Sequence, residues 1–296
     1  MTLGPGEIYS ITCALAWGTA VVLLKKSGES LAPFALNLFK NTMVLPLFLL
    51  TILIVEGTQL PPIPPAHLAL ILLSGFLGIA AGDTLYLGAL NTIGASRMAV
   101  AQTLYSPFVI GLSILFLAER LRLWQFAGVA LVLAGIVLVT WVRGAERALD
   151  HDAIVRGALG AVFSVFLMAI GVVIAKPMLE QYSFLWVVTL RVAGGLGGML
   201  LIVALQRRVP ELRAAYRGVR HWPQVIAGGL IATYISMMLW LAGYKYTKAS
   251  VAAVLNELAA VFILVLAVIF LRERVTRRQL AGTALALAGV VLVVSA

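Results

Sequence analysis

Ten runs of roughly 20 apolar residues follow one another along this chain, separated by short polar connections. A run of that length spans the hydrocarbon core of a bilayer as an α-helix. Because 62% of the residues are hydrophobic and only 11% are charged, lipid must be the solvent of this surface. We therefore predict an all-α polytopic membrane protein with ten transmembrane helices, near residues 7–26, 32–55, 67–90, 95–117, 124–142, 153–177, 184–206, 223–244, 249–271 and 277–295.

The second half of the chain repeats the first. Residues 116–139, FLAERLRLWQFAGVALVLAGIVLV, align without a gap on residues 270–293, FLRERVTRRQLAGTALALAGVVLV. The offset is 154, and 15 of the 24 positions are identical. Apolar composition alone would not place Glu119 on Glu273, so the pattern indicates an internal duplication.

Each copy contains five predicted helices, which is an odd number. The second copy must then enter the bilayer from the opposite face, as in transporters built from inverted repeats. We predict a first five-helix repeat over residues 1–142, a connecting loop over 143–152 and an inverted five-helix repeat over 153–296.

Several short motifs accompany the duplication. The first helix contains Ala16-Trp17-Gly18, an acidic-basic pair follows the fourth helix of each half, and each fifth helix carries Gln-x-x-Gly-x-x-Leu-x-x-x-Gly, starting at Gln125 and Gln279. These features resemble the EamA-type branch of the drug/metabolite transporter superfamily. The resemblance implies a ten-helix carrier of small metabolites, in a bacterial inner membrane, with a central cavity lined by helices 1, 3, 4, 6, 8 and 9. The second repeat departs from it, with Met168-Ala169 in place of Trp17-Gly18.

Four charged residues lie well inside the predicted spans, namely Lys40, Asp83, Arg191 and Glu257. Charges inside a bilayer are costly and point to function. We call the face that holds both termini side A and the opposite face side B. At 1.5 Å per residue, Lys40 and Asp83 both lie about 11 Å from side B, and Arg191 and Glu257 lie about 11 Å from side A.

Equal depth predicts two ion pairs, Lys40 with Asp83 and Arg191 with Glu257. They would act as gates or substrate clamps that close in turn, so that one pair can be open in a given structure. The alternative is that both pairs are static packing contacts, or that the two cations extend toward the membrane surface.

Polar and aromatic side chains near the middle of the spans are the candidates for the substrate cavity. Gln102 and Asn256 coincide under the repeat, and a buried amide needs partners. For a lone aromatic residue, the alternative is packing or a lipid-facing belt. The full set of cavity candidates is Trp17, Asp83, Tyr86, Gln102, Tyr105, Tyr234, Trp240, Asn256 and Glu257.

The expected function is secondary transport, with export of a small polar or amphipathic metabolite such as an amino acid by alternating access. Charges of both signs inside the membrane suit a zwitterion. The alternatives are a carrier of a phosphorylated or nucleotide-linked anion, and a membrane assembly subunit without transport. We expect no enzyme, catalytic residue, metal site or cofactor, because His67, His151 and His221 fall in connections and the sequence has no HExxH or paired-Asp motif.

The expected partners are a small-molecule substrate and membrane lipid, and the chain is expected to be a monomer or weak homodimer. Asp83 or Glu257 could carry a coupling proton, and facilitated diffusion or exchange stays open. Nucleic acid is not expected, since the basic residues are scattered among the connections.

The basic residues near helix ends also predict the orientation of the chain. Of these 20 residues, 15 lie on side B, which predicts that side B is cytoplasmic and both termini are outside. The resemblance favours the reverse, because related carriers often keep both termini in the cytoplasm. The five basic residues on side A are Arg120, Arg122, Lys176, Lys245 and Lys248.

Overall fold

Backbone groups in lipid need hydrogen-bond partners within the chain, which favours helices. The computed structural model describes residues 3–27, 31–57, 59, 61–140, 151–219, 221–262, 265–266 and 276–294. All regular structure in those ranges is helical.

The first repeat forms α1 (Pro5–Ser27), α2 (Pro33–Val55), α3 (Pro65–Gly75), a π-helical segment (Phe76–Asp83), α4 (Thr84–Gln102), α5 (Tyr105–Phe116) and α6 (Leu123–Thr140). The second repeat forms α7 (His151–Gln181), α8 (Phe184–Leu205), the short helix α9 (Val209–Arg217), α10 (Trp222–Gly229), a second π-helical segment (Leu230–Ile235), α11 (Ser236–Tyr246), α12 (Ala249–Asn256) and α13 (Arg277–Val294). The acidic-basic pair of the second repeat, Glu273-Arg274, lies outside the described residues.

Length and hydropathy identify membrane-spanning helices among these elements. In the described ranges, five helical stretches are long and apolar enough to cross a bilayer: Pro33–Val55, Pro65–Ile93, Val155–Gln181, Phe184–Leu205 and Trp222–Tyr246. Shorter apolar helices occupy Tyr105–Phe116, Leu123–Leu138, Ala249–Phe262 and Leu280–Val294. The total of ten spans remains a prediction.

Helical hydrogen bonding continues through residues 91–94, where the sequence predicts a connection between the third and fourth spans. The contacts along α7 nevertheless show that the chain turns back. They occur in the order Ser74 beside Gly171, Ile93 beside Gly157, and Phe108 beside Phe166. Two antiparallel passes therefore pack on α7, one on each side of this reversal.

The fifth helices of the two repeats, α6 and α13, cross through glycines. A Cβ atom on Gly128 would stand 2.7 Å from the carbonyl oxygen of Gly289, and one on Gly135 would stand 2.5 Å from that of Gly282. Because residue numbers rise along one helix as they fall along the other, the two helices are antiparallel. Equivalent helices that run in opposite directions are what an inverted duplication requires.

The core is centred on α7, which packs against α3, α4, α5, α8 and α11. Its small apolar residues Ala161, Val165 and Val172 are fully buried. Leucines at the perimeter are exposed instead, with 87% of Leu123 and 75% of Leu205 accessible. Exposed apolar surface on this scale fits a lipid-facing exterior.

Both repeats contain a π-helical segment in the third helix. The segments start at Phe76 and Leu230, which are equivalent at the offset of 154. π-Helical turns are rare and occur frequently at functional sites. The sequence gives no clear signal for either one.

The fourth helix of each repeat breaks at equivalent positions, Thr103–Leu104 and Glu257–Leu258. In the first repeat Pro107 has no N–H to donate to the carbonyl of Thr103, which explains the break between α4 and α5. The sixth predicted span ends at residue 177, whereas α7 continues through Pro177 to Gln181.

Candidate functional site

Lys40 and Asp83 lie in contact, which their equal predicted depths allow. Lys40 Nζ is 2.7 Å from Asp83 Oδ2, and 9% of the lysine and 20% of the aspartate side chain are accessible. One turn earlier on α2, Asn37 Nδ2 donates to the carbonyl of Ile79 at 2.8 Å and to Thr84 Oγ1 at 3.0 Å. Asn37 thus holds the π-helical segment against α2 and positions Asp83 at its end.

Arg191 is almost completely buried on α8, with 1% of its surface accessible. Its Nη1 donates to Ser74 Oγ at 2.8 Å and to the carbonyl of Gly171 at 2.7 Å. The guanidinium carbon lies 5.9 Å from the centroid of the Trp240 ring, within range of a cation–π contact. Both hydrogen-bond acceptors are neutral, so these contacts do not neutralise the arginine.

The predicted pair of Arg191 with Glu257 is not among the ion pairs of the described residues. Glu257 instead accepts a hydrogen bond of 3.0 Å from Ser106 Oγ, at the junction of α5 and α12. Depth along a helix fixes the height of a side chain but not its direction around the axis, so the closing of this pair in another state stays a prediction.

One edge of the Arg191 guanidinium does not form all of its possible hydrogen bonds within the described ranges. Its buried Nε has no hydrogen-bond partner in the described part of the chain. Arg208, on the surface, uses Nε and Nη2 together to bind Glu211 at 2.8 Å and 2.7 Å, which lowers the pKa of that carboxyl. The Nε edge of an arginine is therefore suited to two parallel bonds with a carboxylate.

Tyrosine hydroxyls connect the two repeats near the four intramembrane charges Lys40, Asp83, Arg191 and Glu257, which we call the central cluster. Tyr105 on α5 is buried, and its hydroxyl lies 2.8 Å from that of Tyr244 on α11. Tyr234, in the second π-helical segment, shares a hydrogen bond with Thr51 on α2. Tyr86, on α4, is half-buried.

The two predicted amides end the helices that precede the symmetric breaks. Gln102 is the last residue of α4 and Asn256 the last of α12, and both are half-buried. Asn256 Nδ2 donates to the carbonyl of Ala252 at 2.8 Å, and its Oδ1 has no partner among the described residues. Trp17 is also half-buried, on α1.

Sequence reasoning missed three partners of the intramembrane charges, Ser74, Ser106 and Gly171. It also missed Asn37 and Tyr244, which bond to neighbouring groups. A signal existed for Asn37, because Asn37, Lys40 and Asn41 lie on one face of an otherwise apolar helix. Ser74, Ser106 and Gly171 are small residues with no sequence pattern that marks them. Their roles depend on how separate helices pack.

A cavity of about 550 Å³ lies at the side A end of α5, α7 and α11. None of the predicted cavity residues lines it. Its lining is Phe116, Leu117, Glu119, Lys176, Pro177, Glu180, Lys245, Tyr246, Thr247 and Lys248. Within the described ranges, no three His, Cys, Asp or Glu side chains come close enough to hold a metal ion.

Comparison with known proteins agrees with this architecture. A curated protein from Archaeoglobus fulgidus described as an uncharacterized transporter is 37% identical over 71 residues, which are 24% of this chain and 26% of that protein. The chain thus spans about a quarter of this relative's length in the match. A solved crystal structure superposes with a TM-score of 0.79 at 20% identity, over 97% of this chain and 95% of the other, and shows a shared fold. The profile of the EamA-like transporter family matches residues 4–141 and again residues 155–295, so the chain belongs to that family.

Proposed function

We propose that this protein exports a small metabolite that carries a carboxylate, such as an amino acid. The observation that carries the proposal is Arg191, a buried cation whose hydrogen-bond acceptors are neutral and whose Nε is unsatisfied. Leaving a buried donor without a partner costs about 1–3 kcal/mol. A substrate carboxylate would remove that cost and supply the missing negative charge.

The surrounding groups favour a zwitterion over a dianion. Asn256 Oδ1 is a free acceptor and Glu257 is an acid with no cation bound to it in the described ion pairs, so both suit an ammonium group. A phosphorylated substrate would need several unpaired cations. Lys40 is already neutralised by Asp83, which among the four intramembrane charges leaves Arg191 as the cation without a carboxylate in the described ion pairs.

Alternating access supplies the proposed mechanism, with repeats 1–142 and 153–296 rocking against each other around the substrate. The Lys40–Asp83 pair closes the path toward side B, while Arg191 and Glu257 remain apart near side A. The breaks at Thr103–Leu104 and Glu257–Leu258 interrupt the fourth helix of each repeat and would act as hinges.

Glu257 is the proposed carrier of a coupling proton. Its side chain is 93% shielded from solvent by the protein, and Ser106 is its hydrogen-bond donor. An ionised carboxylate buried without a cation is costly, and taking up a proton removes the charge. Release of that proton when the substrate ammonium arrives would couple the two fluxes.

Reconstitution into liposomes tests the proposal. A panel of radiolabelled amino acids, amines and phosphorylated sugars is assayed for counterflow and for transport driven by a pH gradient. Arg191→Lys keeps the charge but loses the planar fork, and we expect KM for the amino acid substrate to rise at least about tenfold. Arg213→Lys, an exposed position on α9, is the matched control.

Glu257→Gln separates coupling from binding. We expect this variant to keep counterflow and to lose the acceleration by a pH gradient. Parental KM in Arg191→Lys, or transport of phosphorylated sugars in place of amino acids, would contradict the proposed substrate class. Unchanged acceleration by the pH gradient in Glu257→Gln would contradict the proton carrier.

A further inference from the structure

The cavity on side A is separate from the central cluster and has its own charge balance. Its lining includes three of the five basic residues of side A, Lys176, Lys245 and Lys248, together with the acids Glu119 and Glu180. Both acids already have partners. Lys176 Nζ binds Glu180 Oε1, and Glu119 accepts from backbone and side-chain donors at the start of α12.

Two lysines of this cavity remain without a carboxylate among the described ion pairs. Lys245 Nζ contacts the carbonyl of Tyr182, and Lys248 Nζ contacts the carbonyl of Arg120, each at 3.4 Å. These long contacts to neutral oxygens leave both ammonium groups poorly compensated. Thr247, which lies between them, donates to Glu7 Oε1, so that acid is also engaged.

The remaining lining is apolar or aromatic. Phe116, Leu117 and Pro177 form one part of the wall, and Tyr246 is 55% exposed at its edge. A volume of about 550 Å³ lies within the range of small-molecule sites. Glu119 keeps its negative charge, because its donors are neutral, so three lysines against two acids give the lining a net charge of +1. Two lysines without an ion pair in the described ranges, beside an apolar wall, are suited to an amphipathic ligand with one anionic group.

We propose that this cavity binds a small amphipathic anion, with Lys245 and Lys248 holding its carboxylate or phosphate and Phe116, Leu117 and Tyr246 contacting its apolar part. The anionic group belongs either to a free metabolite or to a lipid headgroup, since both offer the same chemistry. The site does not depend on Arg191 or on the substrate of the central cluster.

Thiol reactivity measures the electrostatic potential of the cavity directly. Tyr246→Cys places a thiol at its edge, and the protein without that substitution is the blank because its single cysteine, Cys13, is buried. We compare an anionic and a cationic methanethiosulfonate reagent, each normalised to its rate with a free thiol. Two nearby cations should favour the anionic reagent by about tenfold at low salt.

Charge variants in the same background assign the effect to the two lysines. Lys245→Gln/Lys248→Gln should bring the rate ratio close to that of a free thiol, and Lys245→Arg/Lys248→Arg should retain it. Arg120→Gln/Arg122→Gln removes the same charge from the same side outside the cavity and should also retain it. A rate ratio near that of a free thiol in Tyr246→Cys alone would overturn the proposal. An equal fall of the ratio in Arg120→Gln/Arg122→Gln would overturn it as well.

Protection of the introduced thiol identifies the source of the anion. Slower reaction in inorganic phosphate or hexanoate, in nanodiscs of zwitterionic lipid, indicates a free small anion. Protection seen only in nanodiscs of anionic lipid indicates a headgroup. Absence of protection under all three conditions would show that the cavity is basic but binds no such ligand, and the proposal would fail.

Discussion

Glu119, from the first repeat, caps a helix of the second repeat at Ala249. Its Oε1 accepts from the Ala249 backbone N–H at 2.7 Å, and its Oε2 accepts from the N–H and hydroxyl of Ser250 at 3.1 Å and 2.6 Å. Ala118 turns the chain toward this helix with φ of 52°, in the left-handed region. The acidic residue after the fourth helix thus joins the two repeats at side A.

Replacing Glu119 should loosen that junction. Glu119→Ala removes the cap of α12 and should lower the free energy of unfolding by about 1–2 kcal/mol. Thermal unfolding in detergent measures the change, and Glu211→Ala is the control because Glu211 is exposed and pairs with Arg208 on the surface. Equal unfolding temperatures for the two variants would show that the cap contributes nothing.

The Lys40–Asp83 pair can be tested as a gate by separating its charge from its packing. Asp83→Asn leaves the buried Lys40 ammonium without a counter-charge and should destabilise the protein by about 2 kcal/mol or more. Lys40→Met/Asp83→Leu removes both charges and should restore stability. We expect this double variant to fold but not to transport, as measured by unfolding temperature and liposome counterflow. Parental transport by it would identify the pair as a static packing contact.

The glycine crossing of α6 and α13 should tolerate no side chain. A Cβ atom on Gly135 would stand 2.6 Å from the backbone nitrogen of Ala286, so Gly135→Leu must push the helices apart. Overpacking of this kind costs about 1–3 kcal/mol. Gly111→Leu on α5 is the control, since a Cβ there meets no atom within 4 Å. If unfolding temperatures fell equally in both variants, the crossing would not be a tight contact.

The charge distribution predicts that side B is cytoplasmic and that the C-terminus is outside. Alkaline phosphatase fused to the C-terminus should then be active, and a fluorescent protein fused there should be dark. The reverse result would show that the bias of 15 basic residues to 5 does not set the topology of this chain.

Hydropathy and internal repetition predicted the helical membrane architecture because both depend on local sequence. Sequence analysis did not predict the contact of Gly128 with Gly289, although glycines repeated at the offset of 154 mark a helix surface that packs closely. Depth along the helices was sufficient to predict the contact of Lys40 with Asp83, because α2 lies beside the π-helical segment Phe76–Asp83.

The same argument does not identify the hydrogen-bond partners of Arg191, because Ser74 and Gly171 approach it from two other helices. Which groups surround a side chain is decided by packing between distant segments, and a single sequence does not encode it in a readable period. The π-helical segments were missed for a related reason. They start at Phe76 and Leu230, and neither position has a proline or other residue that marks such a turn.

The glycine crossing has a consequence for the origin of the chain. Gly128 corresponds to Gly282 and Gly135 to Gly289 in the repeat, so each fifth helix presents the same surface to the other. A contact of this kind is self-complementary. A single ancestral five-helix protein with this surface could pair with an upside-down copy of itself, and the fusion of two genes then needed only a linker, without any new interface.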